Sequence, residues 1–214
     1  MTDGEPDPPS IRRVYDRIGA HFSQTRRYPW TDVTDFLETV EGVVGLDVGC
    51  GNGRHTGPLA EVVDRPLGID LSRTLLSEAT ERAVEGDYRA DFVQGTATSL
   101  PIGSSTVDVG LYIAAIHHLR SRAARIESLD ELARVLSPGG TALLSSWCTT
   151  HDRFDRTMGF DTTVDWTLPD GETVARFYHI YDPAEFKTDV EASDLEWHAV
   201  WVSAGNCYAR VGPR

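Results

Sequence analysis

The sequence predicts an α/β fold: a seven-stranded, mostly parallel sheet with an antiparallel C-terminal strand and helices on both faces. Three observations predict it. Apolar runs at 43–48, 65–70, 91–94, 107–113 and 141–147 alternate with segments of helical periodicity, the pattern of parallel strands joined by crossover helices. A glycine-rich turn, Gly49-Cys50-Gly51-Asn52-Gly53, follows the first run directly. The last two runs, 197–202 and 207–211, are joined by the short link 203–206 and so close the sheet as an antiparallel pair.

Each element has its own signal. Residues 10–26 and 31–41 read as helices ahead of the sheet, an N-terminal helical cap (1–41) with Pro29-Trp30 between them. After the first strand the glycine turn opens into a helix near Arg54. The second strand ends at Asp70, and Ser72 caps a helix over 72–85. A short third strand at 91–94 precedes the almost wholly apolar fourth at 107–113. The helix at 121–136 places Ile126, Leu129, Leu132, Ala133 and Leu136 on one face, and Ser137-Pro138-Gly139-Gly140 ends it before the fifth strand. Asp182-Pro183-Ala184-Glu185 is a capping box with proline at the first helical position, opening a helix to 194. Segment 148–176 breaks the alternation. Its Leu168-Pro169-Asp170-Gly171 is a turn signal, so it is either a hairpin inserted over the mouth of the sheet or a solvated loop.

The bulk numbers bound the function. A chain of 214 residues with 40% hydrophobic content suits a single domain, 1–214, with a real core. No apolar segment approaches the ~20 residues needed to cross a bilayer. The acidic, proline-rich 1–10 is unlike a signal peptide, so a cytoplasmic protein is expected, with no membrane partner. Cys50, Cys148 and Cys207 form no C-x-x-C pair and suggest neither a disulfide framework nor an internal metal site. The net charge is −13, from 33 acids against 20 basic residues, with Lys187 the only lysine. Such a balance repels nucleic-acid phosphate at low salt and argues against DNA. Two circumstances relieve it. At molar salt the screening length falls to about 3 Å, which fits the salt-rich cytosol of a halophilic archaeon; alternatively a partner supplies the positive surface.

The glycine turn carries the chemistry. Glycines at alternate positions let a ligand approach the backbone, and Asp70, at the end of the second strand, can accept hydrogen bonds from both hydroxyls of a ribose. Dinucleotide sites space their glycines G-x-G-x-x-G to seat a pyrophosphate. Here the spacing is G-x-G-x-G, and Asp47 stands just before it, where an acid repels pyrophosphate and suits a cation. A sulfonium bearing an ammonium group is such a cation. The run Leu46-Asp47-Val48-Gly49-Cys50-Gly51-Asn52-Gly53 thus resembles the first motif of the class I S-adenosylmethionine-dependent methyltransferases, whose sheet is Rossmann-like. Gly95-Thr96-Ala97-Thr98-Ser99-Leu100-Pro101 resembles the segment of that family that meets the adenine, with Thr96 where an acid is usual. Ile113-Ala114-Ala115-Ile116-His117-His118-Leu119 resembles its segment after the fourth strand, one histidine being structural and the other presented to substrate.

Two further stretches are more specific. Tyr15-Asp16-Arg17-Ile18-Gly19-Ala20-His21-Phe22-Ser23-Gln24-Thr25-Arg26-Arg27-Tyr28-Pro29-Trp30 and Arg176-Phe177-Tyr178-His179-Ile180-Tyr181 resemble segments of the methyltransferases that esterify 5-carboxymethyluridine at the tRNA wobble position. That resemblance implies S-adenosyl-L-methionine as cofactor and a small zinc-binding activator protein as partner in a heterodimer. It implies cofactor contacts from Tyr15, Phe22, Arg26, Asp47, Gly49, Cys50, Gly51, Gly53, Asp70, Leu71, Thr96, Ala97 and Ile113. Arg26, His117, His118 and Tyr178 are the implied catalytic residues, with no metal. The bland alternatives are a surface salt bridge for Arg26 and a plain hairpin strand for Tyr178 and His179. An exposed edge at Asp91-Phe92-Val93-Gln94 would give the partner a strand to extend. Two other functions stay open, a small-molecule methyltransferase of the quinone or metabolite type and a cofactor-binding subunit without turnover.

Overall fold

A computed structural model describes residues 8–214, and segment 1–7 of the acidic N-terminus lies outside the described residues. Helices α1 (Pro8–Thr25) and α2 (Thr31–Leu37) precede β1 (Gly42–Val48), a four-residue α3 (Thr56–Leu59), β2 (Val63–Asp70), α4 (Arg73–Glu85), β3 (Asp91–Gln94) and β4 (Val107–Ile113). A single 3-10 turn at Ile116–His118 leads to α5 (Arg122–Val135), β5 (Leu136–Trp147), β6 (Phe160–Thr167), β7 (Thr173–Ile180), α6 (Pro183–Glu191), β8 (Leu195–Ser203) and β9 (Asn206–Pro213). No helix among the described residues is long and apolar enough to cross a membrane.

The main sheet has seven strands in the order β3-β2-β1-β4-β5-β9-β8. Pairings among β1 to β5 are parallel, while β9 runs against both β5 and β8. The antiparallel C-terminal strand is therefore inserted inside the sheet, and β3 and β8 form its edges. Apolar residues of the central strands are fully covered, with Leu46, Tyr112, Leu144 and Ala209 in one core cluster and Val109, Leu111, Leu143 and Tyr208 in another. Ser72 caps α4 by accepting from the Leu75 amide, Ser121 caps α5 through Ala124, and Asp182 caps α6 through Ala184 and Glu185.

Several boundaries differ from the sequence expectation for local reasons. The helix expected over 31–41 stops at Leu37, because the chain must turn at 38–41 for Gly42 to pair with Val63. After the glycine turn the helix expected near Arg54 is the four-residue α3, and β2 starts two residues early. Ser137-Pro138-Gly139-Gly140 does not interrupt the chain. Leu136 pairs with Val107 and the Ser137 hydroxyl donates to Asp108, so the segment joins β5 with a register shift. The capping box at Asp182 is half made, since the Glu185 carboxylate turns to His179 at 2.9 Å.

Segment 148–176 holds a hairpin that extends further than expected. Strands β6 and β7 pair from Phe160↔Ile180 to Thr167↔Thr173 around a turn at Leu168–Gly171. One end packs Trp166 and Val174 on Ile18, Tyr15 and Phe22 of α1. The other packs Val164, Tyr178 and Ile180 on Trp147 and Phe154 beyond β5. It thereby bridges the N-terminal cap and the far side of the sheet.

Candidate active site

Ligands of open α/β sheets bind beyond the carboxyl ends of the strands, and a cavity stands there, closed above by α1 and β7. Its walls come from Gly49 to Asn52 after β1, Asp70 and Leu71 after β2, Thr96 and Ala97 after β3, Ile113 to Ala115 after β4, and Trp147 after β5. The lid contributes Tyr15, Phe22, Arg26, Arg176 and Tyr178.

The glycine turn is held open by geometry that side chains resist. Gly49, Gly51 and Gly53 have φ of 67°, 55° and 73°, in the left-handed region that glycine adopts without strain. A Cβ on Gly49 would lie 2.5 Å from Ala115 Cβ, whereas one on Gly51 would meet only the Phe22 ring, at 3.9 Å. The space above Gly51 is thus open. Asp70 accepts the Gly51 amide at 2.9 Å and the Ser72 amide at 2.8 Å, one on each oxygen. Each oxygen keeps a second lone pair for a hydroxyl. Burial raises this carboxyl while the two amides lower it.

Asp47 and Gly53 do not line the cavity. Asp47 is 1% exposed and sits under the turn, accepting the Thr56 hydroxyl at 2.7 Å. The expectation that it meets a cationic ligand therefore gives way to a structural role. Burial pushes its carboxyl up to about 7, so it is at most partly charged at neutral pH. Gly53 packs on Ala79 and Phe92. Every other expected residue lines the cavity: Tyr15, Phe22, Arg26, Gly49, Cys50, Gly51, Asp70, Leu71, Thr96, Ala97, Ile113, His117, His118 and Tyr178.

The two histidines are both buried, and their roles are set by their partners. His118 Nδ1 lies 2.9 Å from the Phe177 carbonyl, so Nδ1 carries the proton and Nε2 accepts from the Tyr15 hydroxyl at 2.7 Å. His117 Nδ1 accepts the Trp147 amide at 3.2 Å, which leaves its proton on Nε2. Burial first, then charge from Arg176, lowers His118 to about 4, and burial with His118 lowers His117 well below its ordinary value. Both rings are neutral at pH 7. Burial likewise raises the Tyr15 and Tyr178 hydroxyls, which stay protonated.

Strand alternation splits the segment 176–179 between two jobs. Arg176 and Tyr178 face the cavity, while His179 turns away to bridge Asp161 at 2.7 Å and Glu185 at 2.9 Å. Arg176 is 6% exposed, with its guanidinium over Trp166 at 4.9 Å and Tyr178 at 5.1 Å, and its Nε has no hydrogen-bond partner. Arg26 lies over Phe22 and Trp166 and, among the described residues, makes no salt bridge. Tyr178 stacks on Trp147 at 4.8 Å and 19°. Sequence reasoning missed Trp30, Asn52, Arg54, His55, Trp147 and Arg176 as site residues. Two signals were available: Trp147 ends a parallel strand, and Arg176 stands two residues before Tyr178 on a strand of period two.

A family model described as a methyltransferase domain matches residues 46–144. A tRNA (carboxymethyluridine(34)-5-O)-methyltransferase of Schizosaccharomyces pombe is 30% identical over 209 residues, 86% of this chain and 87% of that protein. The chain belongs to the class I S-adenosylmethionine-dependent methyltransferases. Proteins of the same description from Saccharomyces cerevisiae and Mus musculus are 33% identical over 183 residues and 36% over 138. These matches cover 83% and 64% of this chain, which spans 63% of the yeast protein and 20% of the mouse one. The solved DhpI-SAM-HEP complex shares the fold, with a TM-score of 0.74 over 100% of both chains at 19% identity.

The cavity fits S-adenosylmethionine on its own evidence of shape and charge. Asp70 suits the ribose, Leu71 and Ala97 give apolar surface for the adenine beside the Thr96 hydroxyl, and the open face of Gly51 leaves room for backbone approach.

Proposed function

We propose that this enzyme methylates the carboxylate of a carboxymethyl group on the wobble uridine of tRNA, in the cytoplasm. The observation that carries the reading is the pairing of a buried arginine whose Nε has no hydrogen-bond partner with a set of histidines and tyrosines that, among the described residues of the cavity, offers no free base. Both nitrogens of His118 are engaged, His117 presents an N–H, and both tyrosines are protonated. An amine or phenol substrate would need a group to take its proton. A carboxylate is already ionised and needs a cation to orient it, which Arg176 supplies through charge-assisted hydrogen bonds.

The bound cofactor supplies a methyl group activated on a sulfonium. A carboxylate acceptor would take that methyl group without a proton to move, so this chain would need to supply no base. The chain's contribution is alignment. Arg176 and His117 hold the carboxylate from one side, and Trp147 with Tyr178 offers a stacked aromatic wall for the uracil. Arg26, beside Phe22, serves the carboxylate end of the cofactor.

The partner in this reading is a small zinc-binding activator that pairs with β3. That strand is an edge with Val93 38% exposed, and its unpaired backbone groups can take another strand. Labelled methyl transfer to tRNA, in high salt and with the co-purified partner, tests the proposal. Transfer that is lost in Arg176→Gln and Arg26→Ala supports it. Transfer to an RNA-free metabolite extract instead would replace it with a small-molecule methyltransferase.

A further inference from the structure

In a chain with 33 acidic residues, four arginines gather around the Arg26–Trp30 loop without an acid among them. Arg82, on α4, donates to the carbonyls of Asn52 at 2.9 Å, Arg27 at 3.0 Å and Arg26 at 3.5 Å, and so ties the loop to the glycine turn. Arg54 lies over the Trp30 ring at 4.9 Å and lines the cavity. Among the described residues, none of Arg26, Arg27, Arg54 and Arg82 has a carboxylate oxygen within 4.0 Å, and Arg54 donates no hydrogen bond. The ion pairs use Arg12, Arg17, Arg122, Arg125, Arg134 and Lys187 instead.

Such a grouping costs free energy in the unliganded protein, because like charges repel and burial penalises Arg54. Burial and then Arg26 press Arg54 down to about 10, with Arg82 adding to the effect, while Asp47 opposes it from beneath the turn. An anion would relieve it. Tyr28 follows Arg27 in the loop, and both residues are exposed, Tyr28 at 80%, so an uncovered aromatic residue adjoins an uncovered cation in the chain. Phosphate next to a flat ring is the chemistry of a nucleotide.

We propose that Arg54, supported by Arg27 and Arg82, binds a backbone phosphate of single-stranded RNA entering the cavity, and that Tyr28 stacks on the adjoining base. This rests on the RNA substrate proposed above and assigns the surface that receives it. It also explains how a chain of charge −13 meets a polyanion, through contact-range arginines concentrated at one rim.

The test reads binding without turnover. Fluorescence anisotropy with a labelled single-stranded RNA of anticodon-loop length is measured across a salt series for the wild type, R54A, R54Q, R54K and Y28A. S-adenosylmethionine affinity is measured by calorimetry on the same proteins. R54A and R54Q weaken RNA binding about tenfold and lower the slope of log K against log salt by about 0.7, the share of one phosphate on a single strand. R54K restores the slope, and Y28A weakens binding about tenfold with the slope unchanged. R54Q keeps an amide and alkyl stem over Trp30 and melts no lower than the wild type, which separates the loss from misfolding. An unchanged slope in R54Q overturns the proposal, and so does a parallel fall in cofactor affinity, which would assign Arg54 to the cofactor's carboxylate. If the slope falls as expected but carboxymethyluridine RNA is never methylated, the phosphate site stands and the proposed substrate fails.

Discussion

The Tyr15 hydroxyl donates to His118 Nε2 at 2.7 Å, joining the N-terminal helix to the turn after β4 across 103 residues of sequence. The same ring holds the Phe177 carbonyl of the hairpin at 2.9 Å. One imidazole thereby fixes both halves of the lid over the cavity. Tyr15→Phe leaves Nε2 buried without a donor, which costs about 1–3 kcal/mol. Thermal unfolding should record that loss, together with a lower kcat, and an unchanged melting temperature would remove His118 from this role.

Methyl transfer should not depend on a histidine base. With His118 at about 4 and His117 lower than usual, kcat/KM is expected to stay level from pH 6 to 9. A tenfold rise per pH unit anywhere in that range would point to a base and away from a carboxylate nucleophile. Stability follows a different course. Because the folded value of His118 lies below its ordinary 6.5, the unfolded chain takes up the proton first as pH falls. The contribution is complete above 6.5 and is lost progressively toward 4. Urea midpoints of the wild type should therefore fall more steeply over that window than those of His118→Gln.

Asp47 has the opposite sign. Its folded value is about 7 against an ordinary 3.8, so the folded state holds a proton that the unfolded chain releases. Its contribution is complete below 3.8 and is lost as pH rises through 7. Asp47→Asn cannot ionise and keeps an oxygen for the Thr56 hydroxyl. The variant should gain stability relative to the wild type between pH 4 and 8, as read by paired denaturant curves, and a constant difference would contradict the burial argument.

Gly49→Ala tests the turn directly. The added methyl meets Ala115 Cβ at 2.5 Å, on a backbone with φ of 67°, and the strain should amount to about 1–3 kcal/mol. Calorimetry should show cofactor affinity reduced at least tenfold. Gly139→Ala, where no atom lies within 4 Å of the new Cβ though φ is 85°, pays only the backbone strain and should leave that affinity intact.

Much of this architecture could be read from residue order because strand runs, caps and glycine spacing are local signals. Ser72 and Asp182 each cap the helix that follows, as their positions implied. Errors arose where a distant partner overrode the local rule. The helix stops ahead of Ser137-Pro138-Gly139-Gly140 as expected, yet Val107 and Asp108 of a neighbouring strand draw that segment into β5, which starts at Leu136 and not at 141. Asp47 reads as a ligand contact from its place beside the turn, yet the Thr56 hydroxyl claims it below. Strand period alone puts Arg176 on the face of Tyr178, but its place over Trp166 and that of Arg54 over Trp30 depend on how the hairpin and the cap fold over the sheet.

The central claim is that the accepting group is a carboxylate, and the linkage formed decides it. The enzyme with its co-purified partner is incubated with methyl-labelled S-adenosylmethionine and an anticodon stem-loop carrying 5-carboxymethyluridine, and the isolated RNA is treated with mild alkali. A methyl ester hydrolyses under those conditions, so the account predicts that the label is released as volatile methanol. Label that remains on the RNA through alkali, as a methylated nitrogen or ether oxygen would, contradicts it.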